Sequence, residues 1–150
     1  MTTYISSIHV DVPPEVAFGR LFELMMTSSG GSPVPETPAD GLGAAFRYEL
    51  RLLGHGIGGT CTVTEYVPSK TLTLQWHGPE RFTVGDLRGV WTFAPQDGGT
   101  SVTVRSIFEP RVPILQHVTA WAMIQAFRRW ELPGIKADME NPSRKAQPTA

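Results

Sequence analysis

The chain has 150 residues, enough to bury a core as one domain without disulfide or metal staples. Thirteen basic residues against fourteen acidic ones leave a net charge of −1, with no basic run, which removes the electrostatic case for nucleic-acid binding. A single cysteine, Cys61, excludes an internal disulfide and agrees with a reducing compartment.

Residues 4–10 alternate and predict a strand with Tyr4, Ser6, Ile8 and Val10 on one face. Asp11-Val12-Pro13-Pro14-Glu15 reads as a helix start. Proline is tolerated in a first turn, and a carboxylate suits the positive end of the helix dipole. The helix is expected to run to about Met26, with Phe18, Leu21, Phe22 and Met25 as its core stripe. Residues 27–43, rich in Ser, Gly and Pro, read as a long loop of the kind that forms lids. Residues 44–53 give the cleanest alternation, with Phe46, Tyr48, Leu50 and Leu52 facing one way and Arg47, Glu49 and Arg51 the other.

Gly54-His55-Gly56-Ile57-Gly58-Gly59 satisfies the G-x-G-x-x-G spacing. A dinucleotide site needs a helix after that spacing, because the helix N-terminus holds the pyrophosphate. Residues 60–67 are rich in Thr and Val and predict a strand instead, so the glycines read as a flexible hairpin loop and no NAD or FAD is expected. That strand has two ambiguous faces: Cys61, Val63 and Glu65, or Thr62, Thr64 and Tyr66. Pro68-Ser69-Lys70 is a turn, and residues 71–77 put Leu72, Leu74 and Trp76 on one face. A strand over 82–94 presents Leu87, Trp91 and Phe93. Asp97-Gly98-Gly99 signals a hairpin, and residues 101–109 return with Val102, Val104, Ser106 and Phe108 on one face.

Pro110 and Pro113 bracket the approach to a long helix that begins near Ile114 and carries Leu115, Val118, Trp121, Ala122, Ile124, Phe127 and Trp130. It is apolar nearly all round, the pattern of a buried helix. Pro133-Gly134 predicts a break or kink, with a second helical piece to Glu140, and residues 141–150 read as a disordered tail. The N-terminus shows no signal-peptide pattern and no apolar run is long enough to span a bilayer, so a soluble cytoplasmic protein is expected. The order of elements predicts an α+β fold. An antiparallel sheet of about six strands curves around one long C-terminal helix, and such a grip can leave a cavity where function would sit.

The aromatic residues carry the strongest functional signal. Phe46, Tyr48, Trp76, Trp91, Phe93 and Phe108 fall on the apolar parity of their strands, and Trp121 is expected to face them from the helix. Such residues either fill a core or line a pocket for a flat, apolar ligand. Ser106 and Gln125 share the predicted inner surface and could orient a ligand. Acid–base chemistry would fall to Tyr48, to Glu65 if it faces inward, or to His117 near the cavity mouth. His9, His55, His77 and His117 have no metal-ligand spacing, so no metal is expected, and no cofactor signature is present. Cys61 reads as a small buried hydrophobe rather than a nucleophile.

The chain resembles the START/Bet v 1-like helix-grip superfamily, and within it the bacterial polyketide cyclase/dehydrase and lipid-transport group. The matching pieces begin with Ile8-His9-Val10-Asp11-Val12-Pro13-Pro14-Glu15-Val16 and Gly41-Leu42-Gly43. Val63-Thr64-Glu65-Tyr66-Val67-Pro68-Ser69-Lys70-Thr71-Leu72 and Trp91-Thr92-Phe93 with Gly98-Gly99-Thr100 complete them. The resemblance covers residues 4 to about 140, which implies one domain over 1–140. It implies the helix-grip fold and a binding protein or carrier for an apolar, polyketide- or lipid-like small molecule. Aromatase/cyclases in the group imply, as the alternative, a cyclase or dehydratase, and a third reading is a partner-binding module with a filled core. A homodimer is compatible with all three. The group often has a second small helix after the first. Here residues 28–40 are Gly-, Pro- and Ser-rich, which implies a more open entrance.

Overall fold

Strand alternation builds the molecule. In the computed structural model, which describes residues 1–27, 32–33, 41–52, 55–78 and 85–141, seven strands form one sheet. They are β1 (Thr2–Val10), β2 (Ser32–Pro33), β3 (Ala45–Leu52), β4 (His55–Val67), β5 (Thr71–His77), β6 (Asp86–Gln96) and β7 (Gly99–Glu109). Every ladder is antiparallel, in the order β1-β7-β6-β5-β4-β3-β2. Six strands are long, as expected, and the two-residue β2 is added at one edge. The helices are α1 (Pro14–Thr27), α2 (Pro113–Ala126) and α3 (Leu132–Glu140), with a π-helical turn, Phe127–Glu131, joining the last two. This is the helix-grip fold.

The inner parity of each strand supplies the core. Val10, Cys61, Val63, Leu72, Leu74, Trp91, Phe93, Val102 and Val104 are buried together with Ala17, Phe18 and Leu21 of α1 and Leu132 and Met139 of α3. Phe18 stands edge-on to Tyr66 and to Phe93, each at 5.2 Å between ring centroids. A second, smaller cluster lies under α2: Phe108 and Ala120 are buried, with Tyr4, Leu87 and Met123 packed against them.

The end of the helical segment is tied down by polar groups. Glu140 accepts from the Asp11 backbone N–H at 2.8 Å and from Lys136 at 3.0 Å, which joins the C-terminus of α3 to the β1–α1 connection. Arg20 of α1 donates to the Met139 carbonyl. Arg128, in the π turn, donates through Nε to Ser6 Oγ at 2.8 Å and through Nη2 to the Ile5 carbonyl at 2.7 Å.

Several sequence expectations change in three dimensions. The Pro133-Gly134 pair does not break the helix. The π turn immediately before it alters the hydrogen-bond register, and Pro133 falls in the first turn of α3, where a missing N–H costs little. Of the glycine-rich segment, residues 55–59 are not a loop but pair with β3 in regular register, Leu52 opposite His55 and Tyr48 opposite Gly59, while residues 53–54 lie outside the described residues. No helix follows it, because β4 continues to Val67. The ambiguity of 60–67 is settled by a bulge. Val63 pairs with Leu74, but Glu65 pairs with Thr73, so one extra residue reverses the parity after Val63. β6 begins at Asp86; residues 82–84 of the expected strand lie outside the described residues, as do 142–150. Of the expected loop over 27–43, residues 32–33 form β2, and 28–31 and 34–40 lie outside the described residues.

The largest correction concerns α2. Gln116, Ala120 and Ile124 point inward and are buried, with Met123 beside them half-buried. The opposite side is exposed: Ile114 is 83% accessible, Leu115 66%, Val118 61% and Trp121 55%. A helix laid on one sheet can bury about half its circumference, and no further layer covers the rest of α2 among the described residues. Gln116 holds the start of the helix, its Oε1 accepting from the backbone N–H groups of Arg111 and Val112.

Candidate functional site

The space that matters lies between the concave face of β3–β7 and the inner side of α2. On the sheet side the residues are Phe46, Trp76, Leu87, Gly89, Trp91, Ser106 and Phe108, set by the register Trp76–Leu87, Leu87–Phe108 and Gly89–Ser106. On the helical side they are Ala120, Met123 and Phe127. Trp91 and Phe127 meet edge-to-face at 6.2 Å, and Phe46 and Trp76 at 6.4 Å. Trp76 and Leu87 occupy the middle of the inner face, yet both are only half-buried, as are Met123 and Phe127. Solvent therefore reaches between sheet and helix at that level, whereas the α1–α3 end is closed by fully buried side chains.

The sequence-derived residues divide accordingly. Phe46, Phe93 and Phe108 are buried core residues on the inner parity, Trp76 and Trp91 border the space, and Ser106 stands on the same face. Phe93 packs toward Phe18 at the closed end. Gln125 is half-buried beside Ile124. Tyr48 holds its place in β3 opposite Gly59, but its side chain lies outside the described residues.

Three expected positions are corrected. Trp121 lies on the exposed side of α2, away from the sheet aromatics, because only the stripe through Gln116, Ala120 and Ile124 faces inward. Glu65 is exposed on the outer face, where its Oε1 accepts from Thr73 Oγ1 at 3.2 Å, because the bulge turns it outward. His117 is exposed and hydrogen-bonded through Nδ1 to Thr2 Oγ1 at 3.0 Å, outside the cleft. Cys61 is fully buried, and burial pushes its thiol up out of the range where a reactive thiolate forms. Sequence reasoning missed Gly89 and Arg128. A glycine within an apolar alternation signals a close approach or a gap, and that signal was available; the partners of Arg128 were not.

The outer face carries a separate shallow concavity of about 400 Å³, lined by Gln75, His77, Asp86, Arg88, Ile107 and Glu109. It is polar and open, and Asp86 there pairs with Arg111 at 3.6 Å. No cluster of metal-ligating side chains occurs among the described residues, and none of their helices is long and apolar enough to cross a membrane.

Comparison with known structures places this geometry. The crystal structure of Ara h 8.0201 superimposes with a TM-score of 0.72 at 14% identity, covering 96% of this chain and 98% of that one. The ZhuI aromatase/cyclase from Streptomyces sp. R1128 gives 0.67 at 13% identity, covering 97% and 96%. The solution structure of the Aha1 dimer from Colwellia psychrerythraea gives 0.59 at 17% identity, covering 94% and 98%. At these identities the likeness shows the fold. No curated protein matches the sequence. The family model described as polyketide cyclase / dehydrase and lipid transport matches residues 1–140.

Proposed function

Because the chain belongs to the polyketide cyclase/dehydrase and lipid transport family, we propose that it is a carrier or binding protein for one flat, apolar small molecule, polyketide- or lipid-like, held between the sheet and α2. One observation carries this reading: Trp76 and Leu87 sit mid-sheet on the concave face but remain half-buried, opposite a half-buried Met123 and Phe127. Apolar surface left accessible inside a fold is surface a ligand can cover. A ligand that removed about 250 Å² of apolar area from water would gain about 6 kcal/mol before the costs of immobilisation.

Carriage is favoured over cyclisation by where two of the three acid–base candidates stand. Glu65 is on the outer face and His117 is outside the cleft, so neither is placed to exchange a proton with a molecule inside it. A partner-binding module with a filled core is disfavoured by the same half-buried aromatics. The lone, buried Cys61 supports a cytoplasmic setting.

The test is titration with 2-ethylnaphthalene and, separately, palmitic acid, followed by tryptophan emission and calorimetry. Trp76 and Trp91 border the space, so emission should change saturably at about one molecule per chain in the micromolar range. Absence of saturable binding across such apolar probes would overturn the proposal.

A further inference from the structure

The middle of the concave face contains one position without a side chain, and polar atoms surround it. A Cβ built on Gly89 would lie 3.7 Å from Trp91 Nε1 and 3.8 Å from Trp76 Nε1, with no other non-adjacent atom within 4 Å. The two indoles thus turn their N–H edges, not their carbon edges, toward the gap. Ser106 stands directly across the strand pair from Gly89. Ser106 is 7% and Trp91 3% accessible, and neither side chain makes a hydrogen bond to another residue. Among the described residues no fully sequestered side-chain nitrogen or oxygen lacks a partner. The small accessible area of these two residues must therefore include Ser106 Oγ and Trp91 Nε1, which open into the cleft.

Two almost wholly buried polar groups without protein partners, grouped around a glycine in an otherwise apolar wall, line a notch with room for a methyl-sized group at ordinary contact distances. We infer that this notch receives a single oxygen of the ligand, a carbonyl or phenolic oxygen on a flat ring system, with Trp91 Nε1–H and Ser106 Oγ–H as donors and Gly89 as its floor. The inference rests on the proposed ligand cleft and adds the chemical class: an oxygenated aromatic molecule, not a plain hydrocarbon or acyl chain. Burying a hydrocarbon against the notch leaves its donors unsatisfied, and such sites reject analogues that lack the matching group.

Two probes of nearly equal shape isolate this effect: 2-acetylnaphthalene, which has a carbonyl, and 2-ethylnaphthalene, which has a methylene in its place. Their dissociation constants are measured by calorimetry and tryptophan quenching on the full chain. The wild type should prefer the acetyl compound about five- to tenfold, the equivalent of one net hydrogen bond. Gly89→Ala should bring that ratio close to one, since the new methyl group fills the notch at ordinary contact distances without forcing the strand apart. Trp91→Phe, which keeps an aromatic ring but removes the N–H, should also lower the ratio, and Ser106→Ala should do so to a smaller extent. The ratio is internal to each variant, so a general loss of affinity does not imitate the effect. Equal affinity of the two probes for the wild type, or an unchanged ratio in both Gly89→Ala and Trp91→Phe, would overturn the notch and leave the cleft standing. Failure of both probes to bind would overturn the cleft itself, and the notch with it.

Discussion

Arg128→Ala is the most direct test of how the helical segment is fastened to the sheet. Arg128 projects from the π turn onto β1, where Nε–H meets Ser6 Oγ at 2.8 Å, Nη2–H meets the Ile5 carbonyl at 2.7 Å, and the guanidinium carbon lies 5.9 Å from the centre of the Tyr4 ring. Ser6 is 7% exposed, so its hydroxyl has little water to fall back on. A charge-assisted bond to such a group is worth about 1.5 kcal/mol, and the more exposed bond to Ile5 about half of that. The cation–ring contact adds about 0.5 kcal/mol. The sum predicts a loss of about 2–3 kcal/mol, which for a chain of this length lowers the melting temperature by about 5–10 °C. Urea and thermal denaturation followed by circular dichroism would read it. Arg128→Lys should recover less than half, because an ammonium cannot hold both acceptors in one plane. A double-mutant cycle with Ser6→Ala should show about 1 kcal/mol of coupling. A cost for Arg128→Ala below about 0.5 kcal/mol, the range of an unremarkable surface change, or strict additivity with Ser6→Ala would refute the clamp.

Two further outcomes are expected. Glu140 has its carboxyl held below the usual range, first by the Asp11 backbone N–H and then by Lys136. A depressed folded-state value stabilises above the ordinary carboxyl range, and that contribution is lost as the pH falls through the folded value. Glu140→Gln should therefore cost up to about 1 kcal/mol at neutral pH, and the difference from wild type should vanish on acidification; a pH-independent difference in denaturation midpoint would contradict this. The two sides of α2 should also respond differently. Val118→Ala on the exposed side should change stability by less than about 0.5 kcal/mol, whereas Ile124→Ala, 3% exposed, should cost about 2–4 kcal/mol. Equal costs would mean that α2 is buried on both sides.

What the sequence by itself determined is whatever depends on short-range periodicity. The faces of β1, β5, β6 and β7 follow from strict alternation, since successive side chains point to opposite sides of a strand whatever surrounds it. The position of the first helix, the Asp97-Gly98-Gly99 hairpin and the end of the last helix at Glu140 are equally local, and their order specified the helix-grip fold. Tertiary structure decided the rest. Residues 55–59 carry almost no side-chain pattern, so only pairing with β3 makes them a strand. The bulge after Val63 is an inserted residue in a ladder, and a ladder needs its partner to have a register at all; this is why Glu65 could be placed on either face from the sequence and lies on the outer one in the fold. Trp121 shows the same limit for helices. Apolar residues all round α2 state that burial would be favourable in every direction, but a single sheet offers only one direction. The sheet took the side of Gln116, Ala120 and Ile124 and left Trp121 to solvent. Gly89 and Trp91 share a face of β6 by alternation alone, but Trp76 and Ser106 join them only because β5 and β7 pair with β6 in one register, so the notch is a property of those pairings rather than of any one segment.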